Sequence, residues 1–485
     1  MQQARRILLP QFTVTEVAQA DDEGAIRIPL PETARDPAYY IRHKRIEGEH
    51  ARVDGKPAWK GVQFNLFPVV LDGSGIPWAE ACTFLLFRLE NDIAPNMVTY
   101  GSLADDLAAY RRFLEEAGID WLHFPAHKQS RPTYRYNGHL RLAVAAGEIA
   151  DTTAKRRMGA VVRFYRWLAQ EKVFEPAHPA WKESDRFVDF KDAAGFSMVK
   201  QVTTTDLAIA VTTEVDPYAG YIDDGGKLRP LPEDEQRWLV EALVAHGNTE
   251  MTLIHLLGLL TGARIQTILT VRVGHVRPEV SRSESGEVRL PVGPGTGIDT
   301  KNNKRLVLHI PHWFYEMLRT YAFSDRARRR RLRASGGDVD GQYLFLSARG
   351  APFYRSKEDA SIFDDTNRVR HQKVGQSVRQ FITEHVIPYV RAHHRPSFSY
   401  RFHDTRASYG MNLTDHQLAL VARGETTLSA AREFVRVRMG HQSSATTDRY
   451  LDYRNNMALV RSASDGYESH LRSLSEMAMS GLMQG

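Results

Sequence analysis

The amino-acid sequence predicts a mainly α-helical protein with a small β-sheet or hairpin in its last large domain, an α+β fold class. Two patterns support this prediction. Apolar residues recur at helical spacing over about residues 77–174 and again from Pro232 onward, whereas Leu306, Leu308 and Ile310 alternate with other residues as in a strand. With 485 residues, the chain is too long for one hydrophobic core and suggests roughly three units.

Five segments follow one another along the chain. Strand-like pieces such as Gly61–Leu71 occur in the first, helical periodicity fills the second, and prolines and glycines interrupt the third. A helix with acidic residues in its first turn opens the fourth at Pro232. The predicted segments are a mixed N-terminal extension (1–75), a helical domain (76–180), a linker or connector (181–228), the last large domain (229–465) and a C-terminal helix or tail (466–485).

Two helices of the helical domain are predicted from their apolar stripes. Ser102–Ala117 carries one stripe with charges opposite, and Ser102 is its expected N-terminal cap. Thr152–Glu171 has an apolar side and a basic side. The basic residues are Lys155, Arg156, Arg157, Arg163 and Arg166.

Composition excludes several classes of protein. The hydrophobic share of 42% and charged share of 25% are ordinary for a globular protein. No apolar run approaches the ~20 residues that cross a bilayer, and the N-terminus lacks the apolar stretch of a secretory signal. Cys82 is the only cysteine, which excludes a disulfide framework and a cysteine metal cage. We therefore expect a cytoplasmic protein without membrane contact.

The positive charge is clustered rather than spread. The formal net charge is +6, and a second basic cluster, Arg326–Arg333, reads RARRRRLR and includes Arg328 and Arg330. Such clusters suit a polyanion such as DNA, although a solvated surface face explains either cluster alone equally well.

Four short patterns in the last large domain are each weak in isolation. An arginine in an apolar run can simply extend to solvent, a lysine in a turn is normally solvated, and a histidine and arginine three residues apart can form a structural pair. Most tyrosines are half-buried with a wet hydroxyl. The patterns are TGARI with Arg264, KNNK with Lys301 and Lys304, FHDTR with His403 and Arg406, and MGHQSSATTDRYL with His441 and Tyr450.

In this order the four patterns resemble the conserved boxes of the tyrosine recombinase (phage integrase) family. The resemblance covers about residues 77–460 and includes the nine-residue step from His441 to Tyr450. It implies a SAM-like helical core-binding domain followed by a tyrosine recombinase catalytic domain. It also implies a site-specific DNA recombinase, or integrase, of a mobile genetic element. The expected location is then the cytoplasm, in association with the nucleoid.

The resemblance also implies a role for each site residue. Arg264 and Arg406 would clamp the phosphate oxygens, where charge builds up during transfer, and His441 would add a hydrogen bond. Tyr450 would be the nucleophile, His403 the general base and Lys301 the general acid, with Lys304 as the other candidate acid. The product would be a 3′-phosphotyrosyl intermediate. No cofactor, metal or ATP is expected, because the covalent bond conserves the phosphodiester energy.

This sequence departs from the family pattern in two ways. Thr267 stands where an acidic residue often follows the first arginine, which leaves an accessory carboxylate in doubt. The 34 residues between Arg406 and His441 are more than expected, and Arg423–Ala431 is predicted to be an inserted loop. The distance from Arg264 to Lys301 is also long.

Double-stranded DNA is the expected partner, with four protomers in the synaptic complex and a monomer or weak oligomer when free. Accessory recombinases or DNA-bending proteins are left open. The C-terminal stripe of Tyr467, Leu471, Leu474 and Met477 fits packing on its own domain and docking on a neighbour equally well. Two other functions also remain open: nicking and religation as in type IB topoisomerases, and a catalytically inactive DNA-binding regulator.

Overall fold

The chain forms two compact units in the computed structural model. Of the described residues, those up to 211 belong to the first unit and those from 218 onward to the second. The described residues are 3–29, 38–53, 56–92, 95–191, 197–211, 218, 220–277, 286–357, 359 and 373–482.

The first unit begins with antiparallel strands. These are β1 (Arg5–Thr13), β2 (Thr15–Ala18), β3 (Ile26–Pro29), β4 (Ala38–His43), β5 (Arg45–Val53), β6 (Lys56–Gly61) and β7 (Gln63–Leu71). Strand β1 pairs with β7, with Arg5 opposite Leu71. Strands β2, β4 and β3 form a three-stranded sheet, and β5 pairs with β6. The segment predicted as a mixed extension is therefore largely β-structure.

Four helices complete the core of the first unit. They are α1 (Ala79–Glu90), α2 (Met97–Glu116), α3 (Pro132–Ala145) and α4 (Asp151–Gln170). The prediction of a helix over Thr152–Glu171 is confirmed within one residue at each end. Helix α2 begins earlier than predicted, because Asn96 caps it by accepting from the Val98 amide, whereas the Ser102 hydroxyl donates to the Val98 carbonyl inside the helix.

The predicted linker, 181–228, contains two antiparallel hairpins. In the first unit, β8 (Glu183–Lys191) pairs with β9 (Ser197–Thr205) along nine residues of each strand. In the second unit, β10 (Ile222–Asp223) pairs with β11 (Lys227–Leu228). Gly225 and Gly226, two of the glycines that indicated a linker from the sequence, connect β10 to β11.

Helices and one further hairpin make up the rest of the second unit. The elements are α5 (Glu233–Ala245), α6 (Thr249–Thr261), α7 (Ile265–Leu269), α8 (Val273–Val276), β12 (Glu287–Val292), β13 (Leu306–Pro311), α9 (His312–Phe323), α10 (Asp325–Arg333), α11 (Gln376–Phe381), α12 (Ile387–His393), α13 (Asp404–Ala422), α14 (Leu428–Met439) and α15 (Ser444–Leu482). A π-helical turn, Ile382–Val386, joins α11 to α12. Ile254, Leu257, Phe314 and Leu318 are buried in the core of this unit.

The structure confirms the predicted fold class, mainly helical with small antiparallel sheets, and the predicted strand over Leu306–Ile310. Lys301–Lys304 is not the hairpin turn itself. Lys301–Asn303 is a short 3-10 turn inside the longer connection between β12 and β13, and Asn302 and Asn303 adopt left-handed backbone angles there. In the described part of the chain, no helix combines the length and apolarity that crossing a membrane requires.

The connection between α13 and α14 is shorter than the predicted inserted loop, Arg423–Ala431. Helix α13 ends at Ala422, and α14 begins at Leu428, where the Thr427 hydroxyl caps it by accepting from the Ala430 amide. The last four residues of the predicted loop are therefore helical. The long interval between Arg406 and His441 consists mainly of these two helices.

Candidate active site

Left-handed glycines at two helix ends place Arg264 and His441. Helix α6 stops at Gly262, with φ 64°, and Arg264 follows at the N-cap of α7 rather than inside an apolar helix, as the sequence had suggested. Helix α14 stops at Gly440, with φ 63°, and His441 follows directly. Glycine suits both positions because a left-handed backbone is strained for other residues.

Arg406 joins these two helix ends. It lies in the first turn of α13 with only 5% of its surface exposed. Its Nη1 donates to the Gly262 carbonyl at 3.0 Å, and its Nη2 donates to the Met439 carbonyl at 2.8 Å. A guanidinium therefore satisfies carbonyls that helix ends leave without a partner, where a positive charge is also favoured. These contacts fix the plane of the Arg406 side chain.

A buried carboxylate, Asp224, lies in the turn between β10 and β11 and contacts four site residues. Its Oδ2 accepts from Arg406 Nε at 2.6 Å, from His441 Nε2 at 3.2 Å and from the Tyr450 hydroxyl at 3.1 Å. Its Oδ1 lies 3.5 Å from Arg264 Nη2. Burial alone would raise the pKa of Asp224, but the hydrogen bond from His441 and the charge of Arg406 hold that pKa well below its usual range.

Asp224 was not among the residues predicted from the sequence. Its only local signal is the Asp-Asp-Gly-Gly run at 223–226, which indicates a tight turn. Asp224 is 40 residues from Arg264 and 182 residues from Arg406 along the chain. No local pattern could predict that these groups meet.

The tautomer of His441 follows from its two contacts. Nε2 faces the Asp224 carboxylate, which can only accept, so Nε2 carries the proton. Nδ1 then accepts from the Thr447 hydroxyl at 3.0 Å. Burial is the main cause that lowers the pKa of His441, while Asp224 raises it and Arg406 lowers it. His441 is thus positioned to donate one hydrogen bond into the site.

Tyr450 is fully buried on α15, with 0% of its surface exposed. Its ring packs directly against Gly410 of α13, where an added methyl group would overlap the ring. Burial first, and then the charge of Asp224, raises the pKa of the Tyr450 hydroxyl. Tyr453, one turn later, is half-buried against a small apolar cluster that includes Ile222. Of the two tyrosines, it is Tyr450 whose hydroxyl bonds to Asp224.

Lys301 and His403 lie on the edge of the same cluster. A small pocket is lined by Arg264, Lys301 and Arg406. A Cβ atom placed on Gly225 would lie 2.8 Å from Lys301 Nζ and 3.7 Å from Arg264 Nη2. Burial, followed by the charges of Arg264 and Arg406, lowers the pKa of His403 to about 4, so this imidazole is neutral at pH 7.

Thr267, at the position where an acidic residue was considered, is buried in α7 and supplies no carboxylate. The carboxylate that contacts the arginines comes instead from Asp224, on a different element. Thr267 therefore adds no accessory acid, and Asp224 lies outside the four sequence patterns.

The predicted DNA-binding residues differ in their surroundings. On α4, Arg156 pairs with buried Asp106 at 2.8 Å and Arg166 pairs with Glu183 at 2.8 Å. The other three residues of that basic face are Lys155 and Arg163, both exposed, and Arg157, which is half-buried. The basic side of α4 thus compensates a buried carboxylate as well as facing solvent.

On α10, Arg330 is largely buried, although the sequence indicated a basic cluster open to DNA. It is 13% exposed, pairs with fully buried Glu250 at 2.8 Å and donates to the Leu346 carbonyl at 2.6 Å. A buried carboxylate requires a partner of opposite charge. Arg330 is such a partner for Glu250, inside the second unit. Arg328 is different, since its side chain is 66% exposed and lies 3.5 Å from Asp338.

Known proteins resemble this chain in structure but not detectably in sequence. No family model matches the sequence, and no curated protein matches it. The XerH site-specific recombinase bound to palindromic difH substrate is similar with 12% identity and a TM-score of 0.42, over 81% of this chain and 91% of that chain. The Tn1549 transposon integrase in complex with circular intermediate DNA has 12% identity and a TM-score of 0.40, over 76% and 94%. A lambda integrase tetramer bound to a Holliday junction has 13% identity and a TM-score of 0.33, over 76% and 77%. At these scores the likeness carries no assignment of activity.

Proposed function

We propose that this protein is a site-specific DNA recombinase that cleaves and rejoins DNA strands through a 3′-phosphotyrosyl intermediate. The observation that carries the proposal is the convergence of Arg264, Arg406, His441 and Tyr450 on the single carboxylate of Asp224. Donors that meet at a carboxylate also fit the non-bridging oxygens of a phosphodiester, since both groups are oxyanions with one negative charge.

The cationic donors would lower the barrier by binding charge that develops during transfer. Arg406 is held by the carbonyls of Gly262 and Met439, so it would meet the phosphate without reorganising. Preorganised donors of this kind are worth about 10²- to 10³-fold in rate for each one. Arg264 is placed beside it by the turn at Gly262, which makes a two-arginine clamp.

The proposed reaction needs no reactant other than the DNA and the side chains of the protein. The Tyr450 oxygen attacks phosphorus, its proton passes to the neutral imidazole of His403, and the bond from phosphorus to the 5′ oxygen breaks. Lys301 donates a proton to that leaving oxygen, which gives a 5′-hydroxyl. Attack by a 5′-hydroxyl on the phosphotyrosine reverses these steps and joins the strands.

Lys301 is a better candidate for the general acid than Lys304. Its Nζ approaches the Gly225 turn and the Arg264 side chain, and its charge is one of the causes that lower the pKa of His403.

Exchange of strands between two DNA duplexes would require four protomers, and we include this tetramer in the proposal.

The test uses DNA trapping because the target site is unidentified. Purified protein would be incubated with a randomised pool of nicked duplexes, in which a short cleaved strand diffuses away and prevents religation. We expect covalent adducts that survive denaturing electrophoresis and that persist in EDTA. Sequencing the trapped DNA would identify the site.

Two matched variants decide which tyrosine reacts. Tyr450→Phe should abolish the adduct, whereas Tyr453→Phe should retain it within a few-fold of the original chain. An adduct formed by Tyr450→Phe would refute the nucleophile assignment, and no adduct from the unmodified protein would favour an inactive DNA-binding regulator. Relaxation of supercoiled plasmids that lack the trapped site would favour the topoisomerase reaction.

A further inference from the structure

We propose that Asp224 is an internal phosphate mimic that closes the active site, so DNA binds only after the β10–β11 hairpin moves away. This inference rests on the proposed function in one respect: the ligand displaced by Asp224 is taken to be a phosphodiester. The hairpin would act as an autoinhibitory element built into the second unit.

The contacts of Asp224 use the donors that a phosphate needs. Arg406 Nε, His441 Nε2 and the Tyr450 hydroxyl all point at Oδ2, and Arg264 Nη2 lies near Oδ1. Two carboxylate oxygens would thus stand in for the two non-bridging oxygens of the diester. A carboxylate and a diester cannot share this buried position, because both carry a negative charge and compete for the same N–H and O–H groups.

A role for Asp224 as the general base fits the site less well. The Arg406 guanidinium and the His441 ring hold the pKa of this carboxyl well below its usual range, which makes it a poor proton acceptor. At the same time its negative charge contributes to raising the pKa of Tyr450. Asp224 therefore keeps the Tyr450 hydroxyl protonated, as expected for a resting state rather than a reactive one.

The turn that follows Asp224 lies close to Lys301 and Arg264. Gly225 and Gly226 adopt φ values of 72° and 150°, which side-chain-bearing residues rarely adopt. The absence of a side chain at Gly225 lets the backbone approach Lys301 Nζ and Arg264. Together, Asp224 and Gly225 contact the proposed phosphate clamp and the proposed general acid.

The hairpin is also tied to the helix that carries Tyr450. Arg449 donates to the Asp223 carbonyl at 2.5 Å and lies 3.6 Å from the Asp223 carboxylate. Ile222 is buried in the same apolar cluster as Tyr450. Departure of the hairpin would therefore free the phosphate site and release the Tyr450 hydroxyl in one movement.

The test measures inorganic phosphate binding by thermal unfolding, without DNA. In Asp224→Asn the clamp loses its negative partner, so we expect a lower Tm in chloride buffer and a clear rise in Tm when phosphate replaces chloride at constant ionic strength. The original chain should show no such rise. Asp223→Asn is the matched control, because its carboxylate is 64% exposed and its backbone carbonyl still accepts from Arg449. It should respond like the original chain.

A second variant keeps the carboxylate and loosens the hairpin. Arg449→Gln removes the contacts to Asp223 and should give a phosphate response between those of the original chain and Asp224→Asn. It also remains informative if Asp224→Asn fails to fold. On the trapped DNA site, Asp224→Asn should bind roughly tenfold or more tightly than the original chain, because the cost of opening is removed.

Two results would overturn the proposal. Equal stabilisation of all four proteins by phosphate would show that the site is open in the resting state. No stabilisation of either Asp224→Asn or Arg449→Gln would show that Asp224 does not occupy an anion site. Both results concern phosphate alone, so they are distinct from failure to form a DNA adduct, which tests the proposed function.

Discussion

At the scale of single residues, two buried histidines make the stability of the second unit depend on pH. His403 lies beside the two arginines of the clamp, and His255 is fully buried in α6 with its Nδ1 bonded to the Met251 carbonyl. Burial is the main cause that lowers the pKa of each histidine to about 4. Both imidazoles are therefore neutral in the folded protein at pH 7.

This predicts that the second unit loses stability as the pH falls. An unfolded histidine has a pKa of about 6.5, so between about pH 6.5 and pH 4 the unfolded chain binds protons that the folded chain does not. Each histidine should lower the free energy of unfolding by about 2 kcal/mol between pH 7 and pH 5. The measurement is the urea midpoint at the two pH values.

His403→Asn should remove about 2 kcal/mol of this loss, the share of one histidine. His470→Asn is the control, because His470 is exposed on α15 and should leave the pH dependence unchanged. If His403→Asn and the original chain lose stability in parallel, the pKa of His403 is the same in the folded and unfolded chains, and burial beside the arginines does not hold the imidazole neutral.

At the scale of elements, the crossing of two helices sets the position of the Tyr450 hydroxyl. Helices α13 and α15 approach closely where the Tyr450 ring rests on Gly410. Helix α15 is further held by Arg449, through Asp223 of the β10–β11 hairpin. The location of Tyr450 thus depends on one small residue and one short hairpin.

Gly410→Ala should impair strand cleavage although alanine favours a helix. The added methyl group overlaps the Tyr450 ring, so the ring must shift, and a displacement of about 1 Å can cost on the order of 100-fold in rate. Single-turnover formation of the covalent adduct measures the effect.

Gly138→Ala provides the matched control. Gly138 is also inside a helix, α3, and a methyl group there would meet nothing within 4 Å. This variant should keep full activity and gain about 0.5–1 kcal/mol in stability. Equal rates for Gly410→Ala and Gly138→Ala would mean that the Tyr450 ring does not need its place on α13.

At the scale of the whole molecule, the two units divide the proposed tasks. Every residue of the proposed reaction lies in the second unit, whereas the basic face of α4 lies in the first. Phosphate contacts from surface lysines and arginines add affinity for DNA without reading its sequence. We therefore expect affinity and chemistry to respond to different substitutions.

Lys155→Ala and Arg163→Ala, made singly, should weaken DNA binding uniformly across sequences. Each should reduce the slope of log affinity against log salt by about 1, because one fewer phosphate is neutralised. Arg135→Ala, which removes an exposed arginine from α3, is the control for net charge. A salt slope that falls equally in all three variants would argue against a specific role for α4.

Local periodicity was sufficient for several elements of the fold. Helix α4 and helix α5 follow their amphipathic patterns, and β13 follows its alternation, because each pattern repeats over neighbouring residues. The strands of the first unit were harder to predict. Strand β1 becomes a strand by pairing with β7, with Arg5 opposite Leu71, and such distant pairing leaves little trace in a local window.

From the sequence alone, the order and spacing of Arg264, Lys301, His403, Arg406, His441 and Tyr450 carry the resemblance to tyrosine recombinases. That resemblance implied the site residues and the proposed reaction. Tertiary structure alone decided that Arg264, Arg406, His441 and Tyr450 meet at Asp224, and that Arg330 neutralises Glu250 instead of facing solvent. The physical reason is that charge pairing depends on distance through space in a low-dielectric interior. Residues 40 to 226 positions apart form these contacts, and only the packed fold brings them together.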